Sequence, residues 1–248
     1  MRIILKIEYD GTDFCGWQRQ PNGVSVQEEI ENALFALTGE KTSVVGSGRT
    51  DAGVHAAGQV AHFDTQSNIP PEKFSDALNG ILPPPIKILV SKRAPEGFHA
   101  RYSAKKKTYV YKMYESKYIR PLKSRYAAKV GYKLDVAAMN AAAAYFVGEH
   151  DFSCFLASDS EIKDTVRTVY SAEVFREGEY VIFKVTGNGF LYNMVRIMAG
   201  TLVKVGAGKI SPEKTAEIIA GGDRNAAGMT MPPEGLALLS VEYEGITL

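Results

Sequence analysis

Hydrophobic and polar residues alternate at the start of the chain, where positions 3, 5, 7 and 9 are apolar or aromatic up to Asp10. This alternation predicts a strand with one buried face. Ser25 stands three residues before Glu28, and apolar residues then recur at helical spacing up to Gly39, which predicts a capped helix. Similar patterns predict a strand at 59–63, a short helix at 71–79 and a strand at 86–91.

The second half begins with a strand at 107–114, where aromatic and apolar side chains again alternate. Asp135 is a typical N-cap for an alanine-rich helix that reaches Phe146. Two strands follow at 168–175 and 180–185, joined as a hairpin. Residues 190–205 are apolar on nearly every side, which predicts a buried helix ending at Gly206, before a last helix from 211 and a closing strand at 236–243.

Length and composition indicate a folded globular protein. The 248 residues are 45% hydrophobic and 23% charged, and this length allows one large domain or two ordinary ones. The element order predicts two α/β halves, at residues 1–104 and 105–248. Cys15 and Cys154 are too few for a disulfide framework, so we expect no disulfide and a cytoplasmic location. The N-terminal stretch resembles neither a signal peptide nor a membrane span.

Charge is balanced overall but concentrated in one segment. The net charge is +1, yet residues 92–133, here called the basic segment, contain thirteen Lys and Arg against Glu96 and Glu115, a local charge of +11. Seven of the thirteen tyrosines lie in the same segment. A charge run of this kind is often only a solvated face, but interleaved aromatic residues favour binding of an RNA backbone.

The densest polar constellation is the glycine-rich stretch at 46–55, GSGRTDAGVH. Its glycines allow a backbone to approach a ligand closely. Both the Rossmann fingerprint and the P-loop fail here, because Asp51 takes the place of the third glycine and the P-loop lysine is absent. What remains is Arg49 two residues before Asp51, a carboxylate that could act as nucleophile or general base. Alternatively, Asp51 caps the turn and Arg49 is a solvated charge.

The motifs of the chain, taken together, resemble those of the bacterial tRNA pseudouridine synthase A family over nearly the full length. They are, in order, YDG at 9–11, GWQRQ at 16–20, SVQE at 25–28, GRTDAGVHA at 48–56, FHAR at 98–101, KTYVY at 107–111, DF at 151–152, Phe190 with MVR at 194–196, and GL at 235–236 before VEY at 241–243.

The resemblance implies a fold and an activity. The fold is α+β (an α/β sandwich), with two ferredoxin-like or RRM-like halves whose antiparallel sheets join into one extended sheet, helices packed on one side and an active-site cleft between the halves. The activity is isomerisation of uridine to pseudouridine at positions 38, 39 and 40 of the anticodon stem-loop of tRNA, by base flipping. The resemblance further implies a homodimer, tRNA as partner and no cofactor.

The resemblance also assigns roles to residues. Asp51 is the catalytic carboxylate, Arg196 its ion-pair partner, Tyr109 the ring that stacks on the target base, and Arg49 the residue that holds the flipped nucleotide or a phosphate. Further substrate contacts are expected from Thr50, Arg101, Lys106 and Lys107.

Two of these roles have support and an alternative in the residues themselves. Arg196 lies in an apolar stretch and needs a partner, because a buried unpaired charge is costly, and Asp51 is the obvious candidate. The arginine would lower the pKa of that carboxylate and keep it ionised. Alternatively, Arg196 reaches solvent. Tyr109 follows a run of lysines, which suits an unstacked base, or else it is a core residue, as we expect for Tyr111.

Two other functions remain open at this point. One is a non-catalytic RNA-binding module that uses the basic segment, and the other is a glycosidase that hydrolyses a nucleoside without rejoining the base. The four histidines have no carboxylate or cysteine at ligand spacing, so no metal site is predicted.

Overall fold

The computed structural model describes residues 1–21, 23–157 and 163–248. Within them the strands are β1 (Arg2–Tyr9), β2 (Val45–Gly46), β3 (His55–Asp64), β4 (Ile86–Arg93), β5 (Ala104–Glu115), β6 (Ala128–Val130), β7 (Gly148–Asp151), β8 (Val166–Glu177), β9 (Tyr180–Gly187) and β10 (Leu236–Tyr243). The α-helices are α1 (Val26–Thr38), α2 (Phe74–Asn79), α3 (Val136–Ala143), α4 (Met194–Gly206) and α5 (Lys214–Gly221). The predicted α+β class is confirmed.

The chain forms two compact units. The first contains Met1–Lys105 together with Leu238–Leu248, and the second contains Lys106–Ala237. No helix in the described ranges is long and apolar enough to cross a membrane.

In the first unit the strand order is β4–β1–β3–β10, with β2 beside β3. β1 is antiparallel to both β3 and β4, and its Ile3, Leu5 and Ile7 are completely buried. The helix α1 begins and ends as the local sequence predicts: the Ser25 side chain accepts the N–H of Glu28, and Gly39 adopts the left-handed conformation that ends the helix.

In the second unit the order is β5–β9–β8–β7, and β6 runs parallel to the end of β5. The predicted hairpin is confirmed as β8 and β9, whose pairing runs up to Glu177 opposite Tyr180. Asp135 caps α3 through the N–H of Ala138. The core is rich in phenylalanine rings, with Phe146 in contact with both Phe155 and Phe183.

The predicted start of the buried helix was wrong. We expected it at residue 190, but α4 begins at Met194 after Asn193, which has a φ of 61°. The stretch before it is only partly buried: Leu191 is 4% exposed and the Phe190 ring packs edge-on against Tyr109, whereas Tyr192 is 47% exposed. Hydrophobicity predicted burial here, but a left-handed residue interrupts the helix. Patterning also did not predict the short strands β6 and β7.

A segment of the second unit crosses α4 at very short range. A Cβ added at Gly200 would lie 2.0 Å from the carbonyl oxygen of Met229, and one at Gly228 would lie 2.1 Å from the backbone of Gly200. The Thr201 hydroxyl accepts the N–H of Gly228 at 2.8 Å. Only glycine allows two backbones to approach this closely, so these glycines define where the crossing occurs.

Candidate active site

The loop between β2 and β3 carries Arg49, Thr50 and Asp51, and its first turn is anchored by polar contacts. The backbone N–H of Ser47 donates to Val60 at 2.7 Å, and the Ser47 hydroxyl bonds to Gln59 Oε1 at 2.6 Å. The amide of Gln59 then donates to the carbonyl of Gly48 at 3.1 Å. Since Ser47 and Gln59 are fully buried, these bonds are shielded from water and restrain the loop.

The backbone is held on both sides of the Asp51 side chain. The N–H of Trp17 donates to the carbonyl of Thr50 at 3.0 Å, and the N–H of Val54 donates to the carbonyl of Asp51 at 3.1 Å. Gly16 lies against this turn with a φ of 105°, and a Cβ there would be 2.6 Å from the Thr50 oxygen. The half-buried Asp51 side chain therefore projects from a rigid turn.

A buried tyrosine supports the same turn. The hydroxyls of Tyr9, at the end of β1, and Thr50 hydrogen-bond to each other at 2.8 Å. Tyr9 is 2% exposed and Thr50 is 7% exposed, and burial raises the pKa of Tyr9 to about 12, so the phenol remains neutral. The sequence did not identify Tyr9 as a site residue, although it belongs to the YDG motif.

The two predicted arginines of the first unit are both exposed. Arg49 lies on the same loop as Asp51. Arg101 is on a separate turn after Phe98, where its guanidinium carbon is 5.8 Å from the centre of the Tyr102 ring. The structure thus groups Arg49, Thr50 and Asp51 on one loop, and it positions Arg101 on a different element.

In the second unit, Tyr109 lies on β5 opposite Val185. Its ring is 8% exposed and meets Phe190 edge to face, with centroids 5.3 Å apart. Tyr111 is completely buried, and its hydroxyl donates to the carbonyl of Pro232 at 2.7 Å. The prediction that Tyr111 is a core residue is confirmed. Tyr109 is held at the core by Phe190, but it keeps some exposed surface.

Arg196 is half-buried in the first turns of α4. Its Nε donates to the carbonyl of Met231 and its Nη1 donates to Asn193 Oδ1, both at 2.6 Å. Two donors of the planar guanidinium are thereby fixed, which determines where the group points. The carbonyls of residues 231 and 232 are each bound, one by Arg196 and the other by Tyr111.

The predicted lysines begin β5. Lys106 is exposed, and its ammonium lies 5.5 Å from the centre of the Tyr170 ring. Lys107 is half-buried and pairs in register with Gly187. Across residues 1–21, 23–157 and 163–248, no three His, Cys, Asp or Glu side chains are arranged to hold a metal ion.

A sequence model for the family described as tRNA pseudouridine synthase matches residues 6–103 and 142–244, which include the Asp51 loop and Arg196. The chain belongs to the tRNA pseudouridine synthase family. The predicted resemblance is therefore confirmed, and so is the predicted enzyme class, an isomerase. Its substrate, as a tRNA pseudouridine synthase, is tRNA.

Close relatives of this tRNA pseudouridine synthase match end to end. The tRNA pseudouridine synthase A of Caldicellulosiruptor bescii is 51% identical over 241 residues, covering 97% of this chain and 99% of its own. That of Ruminiclostridium cellulolyticum is 51% identical over 243 residues, with coverages of 98% and 99%. That of an Exiguobacterium species is 45% identical over 245 residues, with 99% of each chain covered.

Proposed function

We propose that this isomerase forms pseudouridine in the anticodon stem-loop of tRNA, that the target uridine leaves its helix before reaction, and that Asp51 is the essential carboxylate. The stem-loop assignment rests on the motifs shared with the synthase A family and on relatives of that name over 97% or more of the chain. Flipping follows from chemistry, because the glycosidic carbon of a stacked nucleotide cannot be reached inside a stem.

The reaction rearranges bonds without adding an atom. The bond between uracil N1 and ribose C1′ breaks, the base turns, and its C5 bonds to the same carbon; the C5 proton leaves and N1 gains one. Asp51 could attack C1′ as glycosidase carboxylates do, or it could accept a proton during the rearrangement. Either role requires an ionised carboxylate held in a fixed direction.

The observation that carries this proposal is the backbone around Asp51. The carbonyl of Thr50 accepts the N–H of Trp17 from a distant segment, the carbonyl of Asp51 accepts the N–H of Val54 within the turn itself, and Gly16 packs directly against the turn. Such a turn restrains the carboxylate at one point, which lowers the cost of aligning it with the sugar carbon. A residue that merely caps a surface turn would not need this buried support.

The remaining roles extend the proposal to other residues. Arg196 pairs with the Asp51 carboxylate and keeps it ionised. Tyr109 stacks on the target base, worth roughly 1–3 kcal/mol. Arg49 holds the flipped nucleotide or a phosphate, and further contacts to tRNA come from Thr50, Arg101, Lys106 and Lys107.

The enzyme acts as a cytoplasmic homodimer, so that the basic segment is present twice along one tRNA. Sedimentation at twice the chain mass is the expected result.

Release of tritium tests the catalytic assignment. With tRNA labelled at uridine C5, the wild type should release label and Asp51→Asn should release none, while Asp64→Asn, a carboxylate bonded to Arg2 in the same unit, should remain active. Transcripts with cytidine at positions 38, 39 and 40 should release no label. Full activity of Asp51→Asn would reject the catalytic role, and release from the cytidine transcripts would reject the stem-loop assignment.

A further inference from the structure

Tyr102 is an exposed aromatic residue on a turn that is unusually well held. Its side chain is 78% exposed. The N–H of Ser103 donates to the carbonyl of His99 at 2.9 Å, and the N–H of His99 donates back to the Ser103 hydroxyl at 3.1 Å. The carbonyls of Phe98 and Ala100 are bound by the side chains of Arg2 and Tyr243, respectively. The turn that presents Tyr102 is therefore rigid.

Two rings, those of His62 and His99, connect the core to Tyr102. His62, 4% exposed on β3, contacts His99 with ring centroids 4.8 Å apart, and His99 lies 4.3 Å from Tyr102 at an interplanar angle of 30°. His62 Nδ1 accepts the N–H of Ala100, and His99 Nδ1 accepts the N–H groups of residues 101 and 102. Backbone donors thus set the orientation of both imidazoles.

His62, the innermost of these rings, is uncharged. Burial, with Arg2 nearby, lowers the pKa of His62 to about 4, which agrees with an Nδ1 that accepts a hydrogen bond. His62 is therefore a neutral support for His99 across the working pH range. His99 covers one face of the Tyr102 ring, and most of the Tyr102 side chain is exposed to solvent. The ring is therefore oriented by its neighbour and still accessible to a ligand.

The surroundings of Tyr102 are cationic. The Arg101 guanidinium lies over the ring, with its central carbon 5.8 Å from the ring centre, and the exposed Lys105, whose ammonium is 3.6 Å from the carboxylate of Glu244, follows three residues later within the basic segment. A pre-oriented aromatic ring next to cations provides both requirements for an unstacked nucleotide: a stacking surface for the base and a positive charge for the phosphate. A rigid ring also loses little conformational entropy on binding.

We propose that Tyr102 is a second base-stacking site, which binds an unpaired nucleobase of tRNA while Arg101 contacts the adjacent phosphate. This site is additional to the stacking of the target uridine by Tyr109, and it rests on the proposed function only in that the bound RNA is the tRNA substrate. The His62–His99 pair is the support that holds the ring in place.

The site can be tested with ring-retaining and ring-deleting variants. Filter binding gives the dissociation constant for an unmodified tRNA transcript. It should be near the wild-type value for Tyr102→Phe and about 5-fold to 150-fold higher for Tyr102→Ala and Tyr102→Leu. The leucine variant separates stacking from simple apolar contact. Tyr145→Ala, an exposed tyrosine outside the basic segment, is the matched control and should bind normally.

Salt dependence separates stacking from charge. Tyr102→Ala should weaken binding without changing the slope of log Kd against log salt concentration, whereas Arg101→Ala should reduce that slope by about 0.7 to 1. In the tritium assay the loss for Tyr102→Ala should be seen in KM rather than in kcat.

Two results would overturn the proposal: Tyr102→Ala that binds tRNA like the wild type, or Tyr102→Leu that binds as well as Tyr102→Phe. Either result leaves the role of Asp51 intact, since Asp51→Asn is scored by catalysis. An active Asp51→Asn, in turn, says nothing against Tyr102. Unfolding midpoints of the variants, expected to match wild type, establish that the binding differences do not come from misfolding.

Discussion

At the residue scale, the turn that carries Asp51 depends on polar atoms that are remote in sequence. Tyr9 and Thr50 are 41 positions apart, and their hydroxyls meet in a buried environment. A buried hydroxyl that loses its partner is destabilising by about 1–3 kcal/mol. The support behind the proposed catalytic carboxylate can therefore be measured as an interaction between two side chains.

Tyr9→Phe and Thr50→Val should each lower the free energy of unfolding by about 1 kcal/mol, and the double variant should lose less than the sum, because both single variants remove the same Tyr9–Thr50 bond. Thr50→Ser keeps the hydroxyl and should stay within about 0.5 kcal/mol of wild type. Urea denaturation of the wild type, the two single variants and the double variant measures the interaction energy between Tyr9 and Thr50. Strictly additive losses would contradict the bond.

Arg196 is predicted to act on the ionisation of Asp51. A cation beside a carboxylate lowers the carboxylate pKa, so removing it raises that pKa and activity is lost at a higher pH on the acid side. Arg196→Gln should shift the acid limb of the kcat/KM profile upward by about one unit or more. Lys204→Gln removes another cation of α4, one that bonds to the carbonyl of Ala227, and should leave the limb in place; an unchanged limb in Arg196→Gln removes Arg196 from the site.

At the element scale, the single carboxylate of Glu115 connects two strands and a loop. Glu115 at the end of β5 accepts two hydrogen bonds from Arg176 on β8, at 2.9 and 3.3 Å, and one from the N–H of Leu134 at 2.8 Å. The Arg176 guanidinium, followed by the Leu134 N–H, lowers the pKa of Glu115. A carboxyl with a lowered folded-state pKa stabilises the protein above its unfolded pKa, and this contribution disappears as the pH falls through the folded value.

Glu115→Gln should therefore reduce the free energy of unfolding by about 1 kcal/mol at pH 7, and the difference should vanish on acidification below the lowered pKa. Chemical denaturation at a series of pH values measures it. Glu173→Gln removes an exposed carboxylate that pairs with the half-buried Lys184; it is the control and should change stability by less than about 0.5 kcal/mol. A loss that persists unchanged at acid pH would rule out ionisation as its cause.

The crossing of α4 by the segment around Gly228 is a second feature at this scale. Gly200→Ala places a Cβ 2.0 Å from the carbonyl oxygen of Met229, so backbone must move, and we expect a loss of about 2 kcal/mol or more. Gly221→Ala, in α5 with no atom within 4 Å, should be neutral or gain up to about 1 kcal/mol from helix propensity. Thermal unfolding distinguishes them; equal effects would contradict the crossing.

At the scale of the whole molecule, charge distribution matters more than net charge. The chain is nearly neutral, but the basic segment carries +11, and part of that charge is already paired: Arg120 and Lys123 both bond to Glu179. Cations engaged with a protein carboxylate contribute less to the binding of phosphates than cations exposed to solvent. Affinity for tRNA should therefore depend on salt, and unequally on the individual basic residues.

We expect tRNA affinity to fall more than tenfold between 50 and 200 mM salt, because counterions are released from each phosphate that is neutralised. Lys106→Gln should reduce the slope of log Kd against log salt by about 0.7 to 1, and Lys123→Gln by less. Filter binding over a salt series gives the slopes. A flat dependence for wild type would count against the basic segment as the RNA-binding surface.

Local sequence was sufficient wherever the determining contacts lie within a few residues. Ser25 and Gly39 mark the ends of α1 because capping is a bond between near neighbours, and alternation places β1 and the hairpin because side-chain direction follows the backbone period. The glycine-flanked Asp51 was likewise proposed as a site residue from its own loop, and the family was identified from motifs spread along the chain.

Distant contacts determined the rest. The left-handed Asn193, the clamp of Arg196 on the Met231 carbonyl, the partnership of Tyr9 with Thr50 and the membership of Leu238–Leu248 in the first unit all join segments, or select conformations, that no local pattern encodes. The same is true of the ring stack behind Tyr102. Hydrophobic burial is non-directional, so a pattern predicts that a side chain is buried, whereas its neighbours depend on how the folded segments pack together.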